Sequence, residues 1–536
     1  MPDASPTSAN RWPPQIKFIV GNEACERFSY YGMRSILAGY ITGAVLKGGL
    51  GQTDDTATEI IHLFVFVNYF MPLLGAWLSD KIVGRYHTIL WVSLFYCAGH
   101  GVLACSDFAG NVHGKMICLV TGLSLIAFGS GGIKPCVSAF MGDQFKPEQS
   151  HLLQKAYGAF YWSINFGSFF AFLVIPWIKD HHGYSLAFLV PGILMAIATL
   201  IFWSGTKHYV RVPPTRETNT AGFFKVYFAA LRGAPEHFTA ALLNLSATIV
   251  LPALAIVLMT WQAFSGSGSL MKILGWISLG CIAIWYLLVL GLSLLRKTEL
   301  PETFWRKAAG QHDEKEIDGA RSLTPILFVF ALVPVFWSLF DQTNSTWVLQ
   351  GAKMVPTTIL GLNIGAEQMQ SMNPAIVMVL VPLFTLGIYP RIGRFAAPLK
   401  RMAYGMFLAA ASYLVVAALQ TRIEHGVQLC VLWQTVPYVI LTAAEVLIST
   451  TGLEFAFREA APEMKSIVMS FWLLTIAFGD LFIAVITKLL SNSAGNAAVS
   501  TGRFVQYAGL TFVVAILFSI VAAFYQYRDK AAARGK

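Results

Sequence analysis

From Thr239 to Trp261, and again from Ile273 to Leu295, the chain runs without a charged side chain. Shorter apolar runs cover Ile376–Ile388, Met402–Leu419 and Ala508–Phe524. Crossing the hydrocarbon core of a bilayer takes roughly 20 apolar residues as a helix. Irregular backbone cannot face lipid, because its N–H and C=O groups find no partner there. The runs therefore predict membrane-spanning helices. Only 12% of the 536 residues are charged and 56% are hydrophobic, too little charge to coat a soluble surface of this size.

About fourteen spans follow from run length and flanking charge. The formal net charge of +10 raises nucleic acid as a partner, but the cations are spaced along the chain as a membrane topology requires. Lys81 and Arg85 follow the second span. Arg211, Arg216, Lys225, Arg232, Arg296, Arg306 and Lys307 flank a middle insert. Arg391, Arg394, Lys400 and Arg401, then Arg458 and Lys465, and finally Arg528, Lys530, Arg534 and Lys536 mark later loops and the C-terminus. The alternate loops are poorer in cations, with Lys47, Lys179, Lys353 and Arg422 as exceptions. The positive-inside rule then puts both termini in the cytoplasm. Met1–Pro14 lacks the apolar core of a cleavable signal, so the first helix is expected to direct insertion. The seven cysteines form no CxxC pair and read as small core residues, with no disulfide frame and no metal site.

Two uncharged spans, 238–263 and 271–296, stand apart between basic linkers and are joined by Ser265–Ser269. Phe223, Phe224, Tyr227, Phe228 and Leu231 recur at helical spacing in the first linker and predict an interfacial helix edged by Lys225 and Arg232. The organisation is a tail (1–14), a six-helix bundle (15–204), linkers and insert (205–321), a second six-helix bundle (322–527) and a tail (528–536). Two such bundles make a rocker-switch transporter with its site near the midplane. The insert reads as structural.

The first span carries Glu23, Glu26, Arg27, Tyr30, Tyr31 and Arg34. At the α-helical period these fall within an arc of roughly 140°. A charge at membrane depth costs at least about 2.5 kcal/mol, so this stripe must face a cavity and pair within it. In the fourth span, Gly129, Gly131, Gly132 and Pro135 surround Lys134. The glycines allow close approach and the proline removes a helix hydrogen bond. Lys134 needs an anionic partner, and Glu23 and Glu26 are available in the same half. A carboxylate that loses its cation to a substrate carboxylate takes up a proton, which is a means of coupling.

Glu23-x-x-Glu26-Arg27-Phe28-x-Tyr30-Tyr31 resembles the ExxERFxYY motif of the proton-dependent oligopeptide transporter family, within the major facilitator superfamily. Asn68 to Asp80 with Gly84-Arg85, Lys134-Pro135, Phe140 to Phe145, Phe160 to Gly167, Phe336 to Gln342, Gln368 to Asn373, Glu445 with Gly452 to Phe455, and Met464 to Ser466 with Trp472 are similar in order. The resemblance implies an all-α integral membrane protein with the major facilitator fold, two six-helix bundles plus an inserted helix pair. It also implies a proton-coupled symporter of di- and tripeptides, monomeric, in a bacterial inner membrane, with the proton as coupling ion and no cofactor, metal or nucleic acid.

Residue by residue, the resemblance assigns Glu23, Glu26, Arg27 and Lys134 to proton coupling. Arg27 and Lys134 would receive the peptide carboxylate, and Arg34 would shape the positive pocket. Glu445, Asn165 and Asn373 would receive the ammonium. Tyr31, Tyr69, Trp337 and Trp472 would line side-chain pockets, and Asp341 would gate or titrate. His62 reads either as a hydrogen-bonding core residue or, by likeness to mammalian-type members, as a proton site. Asp80 and Asp143 read as structural. A transporter of nitrate, amino acids or other small anions, and a non-transporting membrane receptor or enzyme, are the alternatives. No nucleotide loop, metal-ligand cluster or Ser/His/Asp constellation supports an enzyme.

Overall fold

The computed structural model describes residues 12–214, 222–265, 268–392, 397–461, 464–491 and 497–527. Arg216, Arg394, Arg528, Lys530, Arg534, Lys536, the C-terminal tail, most of the N-terminal tail and the middle of the Ser265–Ser269 turn lie outside them.

The first five helices are α1 (Ile16–Thr42), α2 (Asp54–Leu78), α3 (Arg85–Ala104), α4 (Val112–Gly142) and α5 (Ser150–Ser204). Short polar residues start several of them. The Thr53 hydroxyl takes a hydrogen bond from the Thr56 N–H, and Asn111 takes one from Gly114, satisfying N–H groups that have no partner inside the helix. Helix α5 is two segments broken at Gly183, whose φ of 84° is open to glycine and strained for other residues.

Next come α6 (Phe223–Gly233), α7 (Pro235–Phe264) and α8 (Ser269–Leu294), then the short α9 (Glu302–Arg306). They are followed by α10 (Glu314–Phe330), α11 (Pro334–Gly351), α12 (Gln368–Arg391), α13 (Pro398–Glu424), α14 (Val431–Glu459), α15 (Lys465–Leu490) and α16 (Thr501–Phe524). Strands β1 (Thr357–Ile359) and β2 (Leu362–Ile364) form an antiparallel hairpin, with Thr357 opposite Ile364.

Eleven described helices are long and apolar enough to cross a membrane, or twelve with α10 and α11 as one span bent by 46°. Helix α1 fails that test through the charges that make it informative, and α5 holds two segments. Allowing for both brings the tally to the fourteen read from the sequence.

The chain forms two compact units. The first holds residues 1–216 with 343–379 and 422–435, so the hairpin and its flanks belong with α1–α5. The second holds 217–342, 380–421 and 436–536, which includes the inserted pair α7 and α8. Lys488 of α15 fixes that insert. Its ammonium donates to the carbonyls of Gln262, Ala263 and Ser265 at 3.3, 2.8 and 2.8 Å, a cation at a helix C-terminus. The Trp285 indole of α8 donates to Ala247 O of α7 at 2.6 Å, joining the pair to each other.

The cysteine expectation holds in part. Cys136 and Cys281 are buried, Cys105 is exposed and the other four are half-buried, all as free thiols. An apolar neighbourhood in a membrane sequence marks a lipid-facing surface as readily as a core.

Candidate functional site

In the first unit, the polar stripe of α1 is turned inward. Glu23, Glu26, Arg27 and Arg34 are each at most 7% exposed. That burial excludes a helix end with charges reaching for the bilayer surface. Arg27 Nε lies 3.1 Å from Glu23 and also pairs with Glu26. One guanidinium nitrogen thus lies beside two carboxylates, and the charge of Arg27 is shared between them.

Lys134 of α4 lies over two rings, with its ammonium 4.6 Å from the centre of Tyr30 and 4.2 Å from that of Tyr69. Arg27 also lies over Tyr30, at 5.7 Å. Ring faces attract cations without neutralising them. The Tyr30 hydroxyl takes a hydrogen bond from Asn68 at 2.9 Å, which fixes the ring between the two cations. Tyr31 packs against Phe172 at 5.6 Å. Gly131 makes the approach possible, since a side chain there would meet Asn68 O at 2.7 Å. The structure therefore joins Glu23, Glu26, Arg27, Tyr69 and Lys134 in one cluster built on α1, α2 and α4.

His62 is fully buried on α2, its Nε2 2.9 Å from Ser345 Oγ. Asn165 is buried on α5 and donates to Tyr161 O at 3.0 Å. Asn373 is half-buried on α12. Asp143 accepts from Arg85 at 2.7 and 2.8 Å, and Asp80 lies 3.4 Å from the same guanidinium, so both aspartates serve a loop cation.

In the second unit, Trp337 and Trp472 are buried and meet edge to face at 6.2 Å. Phe330 packs on Trp472 at 5.3 Å, and Phe336 and Phe340 flank Trp337. Gly452 lies directly under the Trp472 ring, where a Cβ would collide with it. Asp341 is buried on the 3₁₀ turn Asp341–Asn344 within α11. Glu445 is half-buried and immediately precedes a π turn, Val446–Thr450, a local widening that frequently occurs at functional positions.

Lys179 was an exception to the charge rule. Its ammonium lies 2.6 Å from Glu367 and 3.1 Å from Asp180. Lys353, another exception, lies 3.1 Å from Asp54. Each joins a later segment to α2 or α5 within the first unit, and Gln370 adds a hydrogen bond to Ser35 O at 3.0 Å. These partners are far apart in sequence, so no local pattern signals them. Among the described residues, no group of three His, Cys, Asp or Glu side chains is arranged to hold a metal ion.

Residues 86–502 match the POT family profile. Peptide transporter family 1 of Drosophila melanogaster is 34% identical over 425 residues, covering 77% of this chain and 48% of the relative. Human solute carrier family 15 member 2 is 32% identical over 439 residues, covering 78% and 51%. The chain thus spans about half the length of these relatives. Among solved structures, an auto-inhibited POT family peptide transporter aligns with a TM-score of 0.80 at 38% identity, covering 96% of this chain and 98% of the other. The POT family transporter PepTSo aligns at 0.79 with 36% identity, over the same shares.

Proposed function

The chain belongs to the POT family, and we propose that it is a proton-coupled symporter that imports di- and tripeptides by alternating access. Two of the proteins compared above, the Drosophila relative and the auto-inhibited structure, are peptide transporters by name, which supports the substrate class. The observation that carries the reading is the buried cluster of Glu23, Glu26 and Arg27 beside Lys134. It holds two cations for a carboxylate and two carboxylates for a proton.

In this reading Arg27 and Lys134, with Arg34, receive the peptide carboxylate. When it draws Arg27 away, a carboxylate left in a buried site favours its protonated form. Proton and peptide uptake are then linked through one guanidinium. Glu445, Asn165 and Asn373 receive the ammonium, while Tyr31, Tyr69, Trp337 and Trp472 serve the side chains. Asp341 and His62 take part in gating or proton transfer. The protein works as a monomer in a bacterial inner membrane, with both termini cytoplasmic.

Glu26→Gln tests the coupling role. The variant should still exchange labelled for unlabelled dialanine across a proteoliposome membrane, yet fail to concentrate it when an inward proton gradient is imposed. Gradient-driven accumulation at the wild-type level would remove Glu26 from the mechanism.

A further inference from the structure

The insert and the second bundle enclose a cleft of about 190 Å³. Its walls include Pro252 and Ile256 of α7, Trp285 of α8, Leu327 of α10, Leu474 of α15 and, at one end, Phe224 of α6. Two hydroxyls reach it, but both are used within their own helices. Thr248 donates to Asn244 O at 2.8 Å, and Thr475 donates to Trp472 O at 2.7 Å. The cleft therefore offers hydrocarbon walls to its occupant. A polar solute would lose its hydration there without recovering hydrogen bonds.

Phe224 also borders a second cavity, of about 430 Å³, with Lys225, Phe228, Arg232 and His312. Helix α6 divides its aromatic residues between two faces. Phe223 and Tyr227 are buried, with Tyr227 packed on Phe304 and Trp305 at 5.5 and 5.8 Å. Phe224 and Phe228 are exposed and stack on each other at 6.3 Å. Lys225 and Arg232 share this outer region and make no ion pair among the described residues. The neighbouring acids are already engaged. Glu302 is held by Arg306 at 2.9 Å, which keeps its carboxyl below the usual range, and Glu316 lies 3.0 Å from His312. Lys307 adds a further cation beside Gly233. An apolar cleft among membrane helices thus shares one lining phenylalanine, Phe224, with a cavity bordered by Lys225, Arg232 and His312.

We propose that this is a site for one anionic phospholipid, with its phosphate at Lys225 and Arg232 and one acyl chain past Phe224 in the cleft. Cations at the membrane surface attract anionic headgroups, and each methylene that leaves water adds to retention. The inserted pair then has a function: with α10 and α15 it builds the wall of a lipid site.

Native mass spectrometry of the full-length protein tests this. The probes are phosphatidylglycerol, phosphatidylcholine with the same acyl chains, and inorganic phosphate. Wild-type protein should retain phosphatidylglycerol about tenfold more strongly than phosphatidylcholine, and inorganic phosphate should not displace it. Lys225→Gln with Arg232→Gln should bring phosphatidylglycerol down to the phosphatidylcholine level. Ala253→Phe, which fills the cleft from an exposed position on α7, should weaken both lipids. Both variants should keep the wild-type unfolding midpoint in lipid-free detergent. Equal retention of the two lipids by wild type, or unchanged phosphatidylglycerol binding by the double variant, would overturn the headgroup site. Unchanged retention by Ala253→Phe would overturn the acyl-chain site, and displacement by phosphate alone would mark an anion site without a lipid.

Discussion

The Lys134 ammonium lies 4.6 Å from the centre of the Tyr30 ring, whose hydroxyl is in turn tied to Asn68 at 2.9 Å. The ring positions the cation over its π face. Lys134→Met should therefore keep the packing but weaken dialanine binding about tenfold or more, the loss of one charge-assisted hydrogen bond. Tyr69→Phe, which keeps the ring under the ammonium, should bind within about threefold of wild type. Equilibrium competition binding separates the two.

His62 and Ser345 give a second test. Their 2.9 Å contact is buried. His62→Gln retains a hydrogen-bonding group but cannot take a charge, so uptake should persist while losing its acid stimulation. Ser345→Ala keeps the imidazole and should keep acid stimulation, at a cost of about 1–3 kcal/mol in stability for the orphaned nitrogen. Uptake measured against pH decides. A His62→Gln profile that overlays the wild type would make the histidine purely structural.

The Lys179–Glu367 pair should show strong coupling. Glu367 is 6% exposed, so Lys179→Met strands a buried carboxylate and should cost about 3–5 kcal/mol. Adding Glu367→Gln removes the stranded charge and should restore most of the loss. Thermal unfolding of the two single variants and the double variant measures this. Simple additivity would mean the pair contributes no interaction energy.

Lys488→Met should lower stability by about 1–3 kcal/mol, because three carbonyls at the end of α7 lose their donor. A thermal scan in a fixed detergent reads the change. An unaltered midpoint would mean that apolar contacts alone hold the insert.

Most spans were legible because lipid leaves apolar chain no alternative to a helix. Helix α1 was counted as a span from its length and flanking charge, although its own charges keep it out of the described helices that pass as spans by composition. Gly183 lies in the gap between two of the spans read from the sequence, 153–178 and 184–204. Charge matching suggested the carboxylates of α1 as partners for Lys134; the fold brings Arg27 to both, since it is adjacent to Glu26 and one turn after Glu23. Lys179 looked like a topological exception because Glu367 is 188 residues away. The insert looked inert because it carries almost no charge. Its cleft arises only where α7 and α8 meet helices from elsewhere in the chain, and spacing within one segment cannot show that.

The most direct test of the account is dialanine uptake into proteoliposomes with an inward proton gradient, measured before and after a protonophore collapses that gradient. Accumulation above the outside concentration that disappears on collapse is the predicted result. Accumulation indifferent to the gradient would contradict proton coupling through the α1 cluster.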